Sequence, residues 1–110
     1  MDGKGYIWTL LMEAKSNHVN VLIDKEFKFL SDRKFRFDYV FYVSGEKWAV
    51  EYEGINAPFS RHTSVTGYTK DTEKYNLAQI NGWKLLRYTA LNYKDFQKHL
   101  QTIIKNNQNE

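Results

Sequence analysis

Apolar and polar positions follow two different periods along this chain, and the switches between them mark its elements. Near the start, Ile7, Leu10, Leu11 and Ala14 fall at the i, i+3, i+4, i+7 spacing that lines one face of a helix, with Ser16, Asn17 and His18 to end it. From Val19 to Leu30 the period drops to two. Val21, Ile23, Phe27 and Phe29 point one way and Asp24, Glu26 and Lys28 the other, which predicts a strand. After a turn at Ser31-Asp32-Arg33, a second strand sets Phe35, Phe37, Tyr39 and Phe41 against Arg36, Asp38, Val40 and Tyr42. Ser44-Gly45-Glu46 turns the chain into a third strand, Lys47 to Glu53, and such short connections predict an antiparallel meander.

Gly54 to Thr66 is aperiodic and holds the only proline, Pro58, so it reads as a long loop. A helix is predicted from Tyr68 to Asn81, with Gly82 just past its end. Trp83 to Thr89 reads as a fourth strand. Tyr93 to Lys105 reads as a last helix, with Phe96, Leu100, Ile103 and Ile104 on its apolar side. The order is αβββαβα, and the stretch from Lys47 to Thr89 has the length of a right-handed parallel crossover. The fold class is therefore α/β (mixed α+β), a single four-stranded mixed sheet flanked by helices. The polar end, residues 105–110, is expected to fray.

Length and composition narrow the partners. A chain of 110 residues supports one domain and one core. No apolar run approaches the ~20 residues that span a bilayer, so no membrane partner is expected. The first residues lack the apolar centre of a signal peptide. With no cysteine, disulfide scaffolds and thiolate zinc sites are excluded, and a cytoplasmic setting is compatible. The formal charge of +3 agrees only weakly with a polyanionic partner.

The chemistry-bearing residues are acids. Asp38 lies in the middle of an aromatic and basic strand, while Glu51 and Glu53, two apart, share one face of the next. Counting back from the turn puts Asp38 close to the level of Glu51. Three converging carboxylates repel one another unless a proton or cation offsets them, and a hard divalent ion such as Mg²⁺ is the simplest resident. A lone strand carboxylate is more often a solvated side chain, and only the combination of three acids with the long loop points to a site. In that loop, Arg61, His62 and Thr63 offer a guanidinium, an imidazole and a hydroxyl. Lys70 and Lys74, four apart, share a face of the following helix. Trp48, Tyr52 and Tyr68 could stack on bases, but at strand and helix spacing they read as core.

These blocks together carry a resemblance. Arg36-Phe37-Asp38, Ala49 to Gly54, Arg61-His62-Thr63, Gly67-Tyr68, Asp71, Glu73-Lys74-Tyr75-Asn76 and Gly82-Trp83 through Leu86-Arg87 resemble the small phage and prophage nucleases of the PD-(D/E)XK superfamily. The same plan is similar to very-short-patch repair endonucleases and VRR-type nucleases. The match covers Arg36 to Thr89, roughly half of the chain, and implies a restriction-endonuclease-like core. It also implies hydrolysis of a DNA phosphodiester with Mg²⁺, for which Mn²⁺ would substitute. Possible action on branched or recombination DNA, a homodimer, and the cytoplasm of a bacterial host (if phage-encoded) belong to the same expectation.

The resemblance makes Asp38 and Glu51 metal ligands. Glu53 stands where the motif has lysine; either Lys74 has taken over that lysine's role or Glu53 serves a second metal. His62 would be catalytic, Arg36, Arg61, Thr63 and Lys70 would contact DNA, and Glu13 would be an additional acid from the first helix. The alternative is a catalytically silent DNA-binding or protein-interaction module on the same fold.

Overall fold

The structure is a computed structural model that describes residues 2–18, 20–54 and 65–108. Among these, helix α1 (Gly3–Asn17) leads into strands β1 (Leu22–Lys28), β2 (Arg36–Val43) and β3 (Glu46–Tyr52). Helix α2 (Val65–Ile80), strand β4 (Trp83–Tyr88), a 3₁₀ turn at Tyr93–Asp95 and helix α3 (Phe96–Asn107) follow. The sheet order is β1-β2-β3-β4, with the first two pairs antiparallel and β3–β4 parallel. The predicted order αβββαβα and the mixed four-stranded sheet are the architecture observed.

Local chemistry sets each boundary. Asp2 caps α1 by accepting the Gly5 N–H at 2.8 Å, which lets the helix begin earlier than its apolar stripe and despite two glycines. Ser44 and Gly45 both have positive φ (49° and 81°), the pattern of a two-residue hairpin turn whose twist suits the flanking strands. The turn fixes Val43 opposite Glu46. Gly82, at φ 83°, turns the chain from α2 into β4.

Two cores lie on the two sides of the sheet. Ile7, Leu11, Phe41, Val50, Phe96 and Leu100 join α1 and α3 to one face, and Phe37, Val40, Ala49, Ala78 and Trp83 join α2 to the other. Strand alternation is broken at one place. Glu26, across from Asp38 in the register, sits at φ 50°, and beyond it the side chains change sides. Phe27, Phe29 and Phe37 therefore pack beneath α2, with the Phe29 and Phe37 rings stacked 4.2 Å apart, instead of joining Ile23, Tyr39 and Phe41 as the period predicts.

The C-terminal end carries the helix two residues past Lys105. Residues 105–107 belong to α3, and Asn107 donates through Nδ2 to Glu46 at 2.9 Å, which ties the last turn to β3. Among the described residues, no helix is long and apolar enough to cross a membrane.

Candidate active site

Glu51 is buried on the α2 side of β3, two residues beyond Ala49. What faces it is a helix with a polar seam. Gly67, Asp71 and Ala78 are buried on α2, and Lys74 and Tyr75 are partly buried between them at helical spacing. An apolar stripe would normally occupy those positions. Here the buried polar groups must be matched across the interface, and the sheet matches them.

Lys74 Nζ donates to Glu51 Oε1 at 2.7 Å, both side chains being nearly closed to solvent. The ammonium also lies 5.6 Å from the centre of the Phe37 ring and 5.8 Å from that of Tyr75. Burial pushes the Glu51 carboxyl up to about 7; Lys74 pulls it back down, and the neighbouring Asp38 charge adds to the rise.

Asp38 is the neighbour that the turn geometry predicts. Tyr39 pairs with Val50, so the next step of that register sets Asp38 across from Glu51. The regular ladder gives way there. Asp38 Oδ2 accepts the Tyr52 N–H at 2.8 Å, and Oδ1 lies 3.3 Å from Lys4 Nζ in the first turn of α1. Lys4 also approaches Glu26 at 3.8 Å, and the Gly3 backbone lies against the Tyr52 ring. Asp38 and Glu51 are thus neighbours in the register, and each carboxylate is held by a lysine from a different helix layer.

Glu53 is engaged by groups from α2 and β4. Its Oε1 accepts from Arg87 Nε on β4 at 2.7 Å and from the Tyr75 hydroxyl at 3.1 Å, and it forms an ion pair with the Arg87 terminal nitrogen. The Arg87 guanidinium lies 4.2 Å over the Tyr75 ring. Burial, followed by the Glu51 charge, raises the Tyr75 hydroxyl far above its ordinary range, so it stays a hydrogen-bond donor. Glu53 thereby locks α2 and β4 together.

Among the described residues, no three His, Cys, Asp or Glu side chains are grouped closely enough to hold a metal ion. The chain matches no protein-family model, no curated protein and no solved structure. Asp38 and Glu51 offer carboxylate oxygens, the donors that hard divalent cations take, and in this arrangement both are engaged by ammonium groups.

The other expected residues divide by position. Lys70 and Arg36 are exposed near Lys74, at the mouth of the site. Glu13 is exposed on α1 nine residues beyond Lys4, roughly 13 Å along the helix axis, and the structure does not bring it to Asp38. Tyr68, read as core, is 62% exposed. Arg61, His62 and Thr63 lie outside the described residues. Lys4, Asp71, Tyr75 and Arg87 were not singled out as site residues by sequence reasoning. The signal for Asp71 and Tyr75 was the missing apolar stripe of α2, whose place they take together with Lys74.

Proposed function

We propose that this chain is a metal-dependent DNA endonuclease of the PD-(D/E)XK type, acting in the cytoplasm. The observation that carries the reading is the approach of the Lys74 ammonium to Glu51 beside Asp38. Two strand acids and a lysine are the groups such hydrolysis needs, and α2 supplies the lysine that the strand position of Glu53 lacks.

Asp38 and Glu51 would hold Mg²⁺ or Mn²⁺, which supplies Lewis-acid stabilisation of a phosphodiester oxygen. Lys74 has three N–H donors and spends one on Glu51, leaving donors to orient a nucleophilic water or to meet charge developing on the phosphate. Phe37 and Tyr75 fix the ammonium and exclude water around it, which strengthens that interaction. Glu53 holds α2 against β4 and so keeps Lys74 in place.

The test is incubation with linear, nicked, flapped and four-way DNA in Mg²⁺, Mn²⁺ or EDTA. Cleavage is expected with either metal, and none in EDTA or in Asp38→Ala and Glu51→Ala. Absence of cleavage of every substrate, or undiminished cleavage by both variants, overturns the reading.

One observation favours a second reading. Asp38 and Glu51 each already have an ammonium partner. In a catalytically silent DNA-binding module both would be internal ion pairs, and DNA would be bound without being cut.

A further inference from the structure

The connection between β1 and β2 stands beside the first turns of α2, and the space between them is a groove. Two hollows of about 350 Å³ and 250 Å³ share Lys34, Phe35 and Lys70 as walls and run together. At its inner end the groove reaches Asp71 and Lys74, the residue that holds Glu51. At its outer end, Arg33 forms an ion pair with Glu73 on α2 and lies 4.6 Å over the Phe35 ring. That clamp joins the connection to the helix and fixes the groove's width.

The charge along it is uneven in a useful way. The acids are matched or set aside: Glu73 is paired with Arg33, Asp71 is buried and acts electrostatically on Arg87, and Asp32 lies at the outer end. Lys34, Arg36 and Lys70 are exposed, and among the described residues none has a carboxylate within ion-pair distance. Arg36 donates to the Glu26 carbonyl at 3.4 Å, and cations without a carboxylate partner along an open channel suit a ligand that brings several negative charges in a row. A compact anion would call for donors converging on one point.

We infer that this groove takes the phosphodiester backbone of a nucleic-acid strand, with Lys34 and Lys70 as its phosphate contacts and the Arg33–Glu73 clamp as its fixed wall. The placement of that strand next to the reacting phosphate rests on the nuclease reading; the binding itself does not. Lys34 belongs to none of the blocks that carry the resemblance, and the proposal gives the strand a defined direction of approach, from the β1–β2 connection toward Glu51.

The experiment is binding of the full chain to a fluorescein-labelled duplex, followed by anisotropy in EDTA over a series of salt concentrations. Lys34→Gln and Lys70→Gln should each lower the slope of log affinity against log salt by about one, and the double variant by about two. Lys98→Gln, the same charge change on exposed α3, should leave the slope unchanged. All these positions are exposed, and melting curves verify that the variants fold. If the wild type binds but Lys34→Gln and Lys70→Gln behave like Lys98→Gln, the groove assignment is overturned and the nuclease reading stands. Polyglutamate displacing the duplex as well as unlabelled DNA does, at equal charge, also overturns it in favour of a generic acidic polymer. If the wild type binds with the expected slopes but does not cut with Mg²⁺, the groove stands and the nuclease reading falls. No binding at low salt removes the groove proposal.

Discussion

Lys74 Nζ and Glu51 Oε1 lie 2.7 Å apart although 23 positions separate the two residues in the chain. A buried ion pair is a poor stabilising device, because removing both charges from water costs about as much as their attraction returns. The Glu51 carboxyl records that balance: even with an ammonium in contact, burial holds it far above the usual carboxylate range. A pair so placed is better explained by what it does than by what it stabilises.

Lys74→Met keeps the side chain's bulk and removes its charge. We expect cleavage under single-turnover conditions to fall by about 10²-fold or more, the usual effect of deleting one preorganised charge at a reacting phosphate. The salt slope of DNA binding should stay the same. A slope lowered by about one with little change in the cleavage step would make Lys74 a backbone contact only.

Glu51 also gives the fold a pH dependence with a defined sign. Its pKa is higher in the folded chain, about 7, than its ordinary value of 4.5, so the folded state binds the extra proton. The stability this contributes is present below pH 4.5 and is lost as pH rises through 7. Glu51→Gln should remove that slope. In EDTA, urea titrations at pH 8 should find the variant more stable than the wild type by about 1–2 kcal/mol, with the gap closing toward pH 4.5. Parallel curves across that window would show that Glu51 carries no such burden.

Glu53 separates clamp from ligand. Tyr75→Phe should cost about 1 kcal/mol, the price of one hydrogen bond in a partly buried place. Glu53→Gln should also destabilise the fold yet keep a melting-temperature rise on adding Mg²⁺, whereas Asp38→Asn should lose that rise. A Glu53→Gln protein that no longer responds to Mg²⁺ would move Glu53 into the metal site.

The parts of this fold that were legible are those where a local pattern and a turn agree. Gly45 and Gly82 announce the β2–β3 hairpin and the end of α2, and the hairpin turn alone is enough to level Asp38 with Glu51. The swap of Phe27, Phe29 and Phe37 to the α2 side was not legible, because the break sits on Glu26, a residue with no intrinsic preference for positive φ. The polar seam of α2 was missed because helix faces are read from apolar spacing. Lys74 came from the resemblance, whereas Asp71 and Tyr75 became site residues only once the sheet was seen opposite them. Lys4 had no signal at all: its role depends on α1 beginning at Gly3 and lying against Tyr52.

The parallel pairing of β3 with β4 has a consequence for the order in which the protein acquires its function. β1, β2 and β3 meet through short connections, so their contacts close small loops and form cheaply. β4 can join only after the chain has travelled out through α2 and back, which makes that step the slow one. Asp38 and Glu51 therefore come together in the early half of the molecule, while Lys74 and Arg87 arrive with the late half. Until they arrive, the meander exposes Glu51 to water, where it ionises without penalty. Folding kinetics should carry this imprint: Trp48→Leu, which removes the stack on Phe41 across β2 and β3, should slow folding, whereas Ala78→Gly should chiefly speed unfolding. A nascent chain would then hold its acids in register before it has the cation that makes them useful.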